Sequence, residues 1–155
     1  MDAVYISIVE GIGRRWGIFA NENAVKGIYP INADVQPREN SVSVYAANQI
    51  YEYFINIRSE FDFPLELRGT HFQLQVWDAL RTIPYGRVKS YSEIAAQIGR
   101  PKAVRAVGQA IGKNPCLIAI PCHRVLGKSG CLTGFSAGMD LKKQLLSLEG
   151  ITCRE

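Results

Sequence analysis

In the first thirty residues, apolar and β-branched side chains fall into three short runs broken by turn formers. YISIVEGIG (5–13) alternates only imperfectly, at Tyr5, Ser7 and Val9, and ends in Gly11 and Gly13. RRWGIFAN (14–21) and AVKGIYPI (24–31) follow at hairpin spacing, with Asn21-Glu22-Asn23 as the turn. Such runs predict strands joined by hairpins. After the loop VQPREN (35–40) the period changes. SVSVYAANQIYEYFINI (41–57) carries Val44, Ala47, Ile50, Tyr51, Phe54 and Ile57 at steps of three and four, which predicts an amphipathic helix opened by Ser41 or Ser43. EFDFPLEL (60–67) reads as a short extended piece or linker.

From Thr70 onward the helical period dominates. THFQLQVWDALRTI (70–83) places Phe72, Val76, Leu80 and Ile83 on one face. Thr70 is its cap and Gln73 stands three residues on, as a capping box requires. PYGRV (84–88) is a turn. SYSEIAAQIG (90–99) predicts a short helix capped by Ser90 or Ser92 and stopped by Gly99. RPK (100–102) is a tight link, and AVRAVGQAIGKN (103–114) is a second short helix. Two short helices across a turn of three or four residues make a helix-turn-helix pattern. NPCLIAIPCHRVLG (114–127) is an apolar run between Pro115 and Gly127, and LKKQLLSLEG (141–150) closes the chain as a last helix. The architecture expected is α+β. It consists of a small N-terminal α+β domain (antiparallel sheet, one helix) over 1–68 and a mostly helical domain over 69–155.

Composition places this chain of 155 residues among globular proteins: 47% is hydrophobic and 21% charged. No run approaches the roughly 18 apolar residues of a membrane span. The N-terminus lacks a basic head before a long apolar stretch, so no secretion signal and no membrane partner are expected, and a reducing, cytoplasmic compartment is. The net charge of +4 conceals an imbalance. Residues 1–69 carry six basic against nine acidic groups (−3), and residues 70–155 carry twelve against five (+7). From Arg81 to Lys128 nine residues are basic and only Glu93 is acidic. A polyanion partner and a merely solvated basic face both fit that imbalance. Arg100, Lys102, Arg105 and Lys113, in or beside the second helix of the pair, stand where phosphates would lie.

Four cysteines (Cys116, Cys122, Cys131, Cys153) form no CxxC pair, and His71 and His123 are the only histidines, so no metal site is expected. The informative stretch is Ile120-Pro121-Cys122-His123-Arg124-Val125. A thiol becomes a good nucleophile as its thiolate, which a nearby imidazole or positive charge promotes. Adjacent residues of a strand point to opposite faces, so cooperation between Cys122 and His123 requires a bend, as Pro121 permits, or a bridging water. Glu149 is the candidate to orient the imidazole. On these residues alone, a reactive Cys-His-Glu relay and a buried structural thiol stand as alternatives.

An ordered series of motifs resembles the O6-alkylguanine-DNA alkyltransferases, also called methylated-DNA–protein-cysteine methyltransferases. It comprises Gly69-Thr70-His71-Phe72-Gln73, Val76-Trp77, Ile83-Pro84-Tyr85-Gly86, Ser90-Tyr91, Ala103-Val104-Arg105-Ala106-Val107-Gly108, Asn114-Pro115, Ile120 to Val125, and Leu148-Glu149-Gly150. The resemblance covers nearly all of 69–150, and residues 1–68 follow only the family's general layout.

It implies a winged helix-turn-helix-like alkyltransferase domain that moves the alkyl group of O6-alkylguanine in double-stranded DNA to Cys122. His123 would take the proton through a water, Glu149 would hold the imidazole, and Asn114 would brace the active-site turn. Tyr91 would help the nucleotide leave the helix, and Arg105 would fill the vacated stack from the minor groove. Ala106 and Gly108 would allow close approach to the backbone, and Ser136 would contact O6. The carbonyls of Cys122 and Val125 would accept from the exocyclic amine. Phe135 and Ile111 would wall the pocket, Lys142 would support it, and Arg124 and Ser90 would join the DNA-contacting set. The product thioether cannot be cleaved, so the protein, a monomer without cofactor, would be consumed. Phe135 and Ala137 depart from the tyrosine and glycine of many relatives, and the zinc cysteines of some are missing. A non-catalytic lesion sensor would lack the acceptor cysteine, a plain helix-turn-helix regulator would leave Cys122-His123 unexplained, and a cysteine hydrolase would turn over.

Overall fold

The computed structural model describes residues 3–32, 34–127 and 138–152. It divides into two compact units, Met1–Leu67 with Pro115–Ala119, and Arg68–Asn114 with Ile120–Glu155. Residues 115–119, placed on sequence in the second half, thus belong with the first.

The first unit is a three-stranded antiparallel sheet, β1 (Tyr5–Gly11), β2 (Arg14–Ala20) and β3 (Val25–Pro30), in the order β1-β2-β3. A two-residue turn joins β1 to β2. Both Ile12 (φ 45) and Gly13 (φ 75) are left-handed there, the twist that a tight hairpin needs. The outer edge of β3 is paired rather than bare. Ile28 N–H donates to the Pro115 carbonyl (2.9 Å) and the Ile28 carbonyl accepts from Leu117 N–H (2.9 Å), which accounts for the placement of 115–119 in this unit.

Helix α1 (Ser41–Phe54) packs on β1 and β2. Its cap is Asn40, not Ser41 or Ser43. The Asn40 side chain accepts from Ser43 N–H (2.8 Å), and Ser43 Oγ accepts from Asn40 N–H (3.1 Å), so Ser43 is the third residue of a capping box. The buried face is Ala46, Ala47, Ile50, Tyr53 and Phe54 with Ser43 and Gln49, whereas Val44, Tyr51 and Ile57 are exposed. The expected face was therefore rotated by about one residue. Two polar positions sit inward because they are satisfied there: Ser43 by Ser7 Oγ (2.8 Å), and Gln49, through both ends of its amide, by Asp62. Gly11 admits the ring of Phe54, which would lie 2.1 Å from any Cβ at that position. Each large apolar side chain buried here, such as Trp16, Ile18 or Ile50, contributes about 1.5–3 kcal/mol.

The second unit holds α2 (His71–Leu80), β4 (Lys89–Ser90), α3 (Tyr91–Gln97), α4 (Val104–Gly112), β5 (Val125–Leu126) and α5 (Met139–Leu148). Thr70 and Gln73 form the capping box of α2, and Ser90 and Glu93 form that of α3. Trp77 is buried and donates its indole N–H to the Ala110 carbonyl (2.9 Å), which pins α2 to α4. The link between α3 and α4 runs over residues 98–103 and is longer than the expected turn. Left-handed Gly99 (φ 76) ends α3, and Pro101 delays the restart until Val104. The two strands β4 and β5 pair in parallel, Lys89 with Val125 and Ser90 with Leu126.

Candidate functional site

The apolar run around Cys122 is a pair of tight turns, not a strand. Pro121 (φ −79, ψ 63) closes an inverse γ-turn in which Cys122 N–H donates to the Ile120 carbonyl (2.7 Å). A 3-10 turn over Cys122–Arg124 follows and leads into β5. The Asn114 amide donates to the same Ile120 carbonyl (2.8 Å) and also hydrogen-bonds the Cys122 thiol. The end of the second helix of the pair is thereby tied to the turn that carries the cysteine.

Behind this turn lies a buried ionic cluster. The carboxylate of Glu149, just past the end of α5, meets His123 Nε2 at 2.6 Å. Arg124 grips the same carboxylate with two arms, Nε to Oε1 at 2.8 Å and Nη2 to Oε2 at 3.0 Å, while its Nη1 donates to the Ile83 carbonyl (2.7 Å). Gly86 N–H adds a donor to Oε1 (3.0 Å) from the Pro84-Tyr85-Gly86 turn, where Gly86 is left-handed (φ 77). Tyr85 lays its ring near the guanidinium (5.8 Å) and donates its hydroxyl to the Leu148 carbonyl (3.3 Å). Arg124 is only 5% exposed. Its Nε, Nη1 and Nη2 each donate inside this cluster, to Glu149 and to the Ile83 carbonyl. The sequence signal for this was its place in a buried run between His123 and Val125.

These contacts fix the protonation pattern. With Arg124 forked onto it and a backbone amide added, Glu149 is held as the anion. His123 must then carry its hydrogen on Nε2 and donate it to Glu149. Nδ1 is left as the basic nitrogen, and it is buried with no protein hydrogen-bond partner among the described residues. Burial pushes the Cys122 thiol up to about 11, against the opposing pull of the Asn114 hydrogen bond and the Lys142 charge. Burial likewise drives His123 below the ordinary imidazole value, against the pull of Glu149. The resting pair at neutral pH is a neutral thiol and a neutral imidazole.

Lys142 of α5 is buried and donates to the Val125 carbonyl (2.7 Å), with its ammonium 5.9 Å from the Tyr91 ring centroid. Tyr91 opens α3 and lies against α4: a Cβ at Gly108 would sit 3.8 Å from its ring. Arg105 and Ala106 are exposed on α4, while Ile111 is buried on its core face. The Ser90 hydroxyl accepts from Glu93 N–H (3.1 Å) as the α3 cap. The structure thus gathers Cys122, His123, Glu149 and Asn114 at one turn, and Tyr91, Gly108 and Lys142 beside one another. Ser136, Phe135 and Ala137 lie outside the described residues. Sequence reasoning passed over Gly86 and Tyr85 as holders of the relay; the left-handed glycine of a PYG turn was their signal. No helix among the described residues is long and apolar enough to cross a membrane.

Comparison with known proteins places these features in context. Residues 71–151 match the family described as 6-O-methylguanine DNA methyltransferase, DNA binding domain. The methylated-DNA–protein-cysteine methyltransferase of Mycolicibacterium paratuberculosis is 57% identical over 104 residues, 67% of this chain and 63% of the relative, so the match spans under two thirds of that relative's length. The crystal structure of Mycobacterium tuberculosis O6-methylguanine methyltransferase superposes with a TM-score of 0.85 at 39% identity, covering 95% of this chain and 93% of that one. The M. tuberculosis OGT in complex with DNA superposes at 0.83 with 41% identity, covering 92% and 90%.

Proposed function

The chain belongs to the 6-O-methylguanine DNA methyltransferase family, and we propose on that premise that it repairs double-stranded DNA by moving the alkyl group of O6-alkylguanine onto Cys122. The observation that carries this reading is the buried cluster in which a neutral thiol stands one residue from an imidazole with a bare Nδ1. Its Nε2–H is locked onto a carboxylate clamped by Arg124. As the sulfur attacks the alkyl carbon, the thiol proton passes through a water to Nδ1. The S–C bond forms, the C–O6 bond breaks, and the departing guanine takes up one proton, made good by the one that His123 Nδ1 gives back, so that the ordinary base leaves and the imidazole is neutral again. The thioether has no route back, so each molecule acts once, without cofactor or metal.

An O6 atom inside a duplex is out of reach, so the nucleotide must be flipped out at a cost of a few kcal/mol. Arg105, exposed on α4, fills the gap from the minor groove, and Ala106 and Gly108 let the helix come close to the backbone. Tyr91 eases the base out, Asn114 holds the cysteine turn, and Ile111, Val125 and Lys142 shape the pocket. Ser90 meets backbone beside Tyr91, and Ser136 and Phe135 complete the base site. Residues 69–155, apart from the 115–119 segment that pairs with β3, make up the DNA-binding alkyltransferase domain and residues 1–68 the N-terminal domain. The protein works as a monomer in the cytoplasm, or in the nucleus of a eukaryotic host.

The protonation pattern makes a test. When the thiol gives its proton to an internal base, the rate is independent of pH between the two pKa values. Single-turnover transfer is expected to be level from neutrality to about pH 9, because the thiol value is about 11 and the imidazole value lies below its ordinary range. It should fall only on the acid side, as His123 gains a proton. A rate climbing about tenfold per pH unit across pH 7–9 would mean that free thiolate, not the relay, is the nucleophile.

Gly108 gives a second test. A methyl group there makes ordinary contact with Tyr91. Gly108→Ala is expected to raise helix stability by about 0.5–1 kcal/mol and yet slow transfer several-fold, because the added methyl holds α4 off the DNA. Thermal unfolding and a single-turnover assay measure the two effects, and an unchanged rate contradicts the close approach.

A further inference from the structure

Four residues before Cys122 the backbone takes a conformation that its sequence resists. Ile118 has φ 75, in the left-handed region, and it is both β-branched and fully buried. For such a side chain that region is a strained outlier, not a turn preference. The Ala119 N–H donates to the Leu117 carbonyl (2.9 Å), so Ile118 is the centre of a γ-turn of the rare, strained hand. Pro121 then centres the inverse γ-turn that carries Cys122. A strained residue persists only where its surroundings over-determine it, and here both flanks are tied. On one side, residues 115–117 lie along β3, with the Pro115 carbonyl accepting from Ile28 N–H (2.9 Å) and Leu117 N–H donating to the Ile28 carbonyl (2.9 Å). On the other, the Ile120 carbonyl accepts from the Asn114 amide (2.8 Å). Only Ile118 and Ala119 stand between Leu117 and Ile120.

Resting on the repair reading above, we propose that Ile118 is a positioning residue for alkyl transfer, whose left-handed backbone aims the Ile120 carbonyl, and with it the Cys122 turn, at Asn114. With Leu117 fixed, a return of Ile118 to negative φ rotates the peptides that follow it. The Ile120 carbonyl then leaves the Asn114 amide and the Cys122 N–H together, because one oxygen accepts both bonds. The sulfur loses the turn that presents it beside the imidazole. A displacement of about 1 Å in a reacting group can cost roughly a hundredfold in rate.

The test separates backbone from side-chain packing. Ile118→Ala and Ile118→Gly empty nearly the same buried space, but only glycine accepts the left-handed backbone freely. At saturating duplex carrying one O6-methylguanine, single-turnover methyl transfer is expected to be about tenfold faster in Ile118→Gly than in Ile118→Ala, with equal duplex binding. The glycine variant should keep the rate level from neutrality to about pH 9, whereas the alanine variant should climb with pH, because a sulfur outside the relay reacts only as free thiolate. In an Asn114→Ala background the difference should vanish, since the tie that transmits it is gone. Packing alone gives the opposite order, because alanine keeps one more carbon and the stiffer chain. Equal rates, a faster alanine variant, or a glycine advantage in Tm without one in rate overturn the assignment, as does a difference that survives Asn114→Ala. Should the small side chains cost the fold, Ile118→Leu and Ile118→Val put the same question. Packing favours valine, which keeps the branched shape, and the left-handed backbone favours unbranched leucine, so a faster valine variant overturns the assignment. Methyl uptake on Cys122 by the wild-type protein is scored in parallel. Its absence removes the repair reading, and the role of Ile118 with it. Its presence beside equal rates removes the role of Ile118 alone.

Discussion

Cys122→Ser is expected to abolish alkyl transfer while leaving binding to lesion duplex within about threefold of wild type, the two being measured by methyl uptake and by titration. The hydroxyl is nearly the same size and fits the turn, where the packing of a fully buried site leaves little slack. It is a far weaker nucleophile and leaving its proton to a neutral imidazole is far harder, so the chemical step stops. In the proposed reading DNA recognition rests on α3 and α4, whose contacts with each other and with α2 do not pass through the sulfur. Loss of duplex binding together with transfer would mean that Cys122 serves the fold rather than the chemistry.

Arg124→Met is the second substitution with a large expected effect. It leaves the buried Glu149 carboxylate with the imidazole and one backbone amide. Removing one partner of a buried ion pair costs about 3–5 kcal/mol, a fall in Tm on the order of 10 °C for a chain of this size. Transfer should fall with it, because a carboxylate no longer held as the anion ceases to fix the imidazole hydrogen on Nε2. The double variant Arg124→Met with Glu149→Leu separates fold from chemistry. Replacing the whole pair by apolar groups recovers much of the stability, but His123 then has no carboxylate to orient it, and transfer stays low. If the double variant regains both stability and transfer, the cluster is a structural element only. Calorimetry and the single-turnover assay make the distinction.

The residues that announced themselves in the sequence are those whose role is local. The capping box of α2 needs only residues three apart, and Thr70/Gln73 could be read directly, as could the three strands between their turn residues; for α3 the cap was open between Ser90 and Ser92, and Glu93 settles it on Ser90. The long helix was placed correctly, but its face was misjudged. The inward positions Ser43 and Gln49 are polar and become comfortable only through Ser7 and Asp62, partners far away in the chain. Arg124 shows the same limit more sharply. Nothing local to Arg124 announces that the fold brings Glu149, twenty-five residues later, into its fork. The bend that aims Cys122 was foreshadowed by Pro121. The bond from Asn114 that anchors the bend is tertiary, and its role could be stated beforehand only through family resemblance.

Intact mass after a single encounter with damaged DNA tests the central claim most directly. The protein is mixed with excess duplex containing one O6-methylguanine. The expected result is a gain of one methyl group, about 14 Da, on the Cys122 peptide, with guanine restored never exceeding methylated protein and no second round on fresh duplex. Guanine restored in molar excess over protein, or protein of unchanged mass beside repaired DNA, would contradict the account outright.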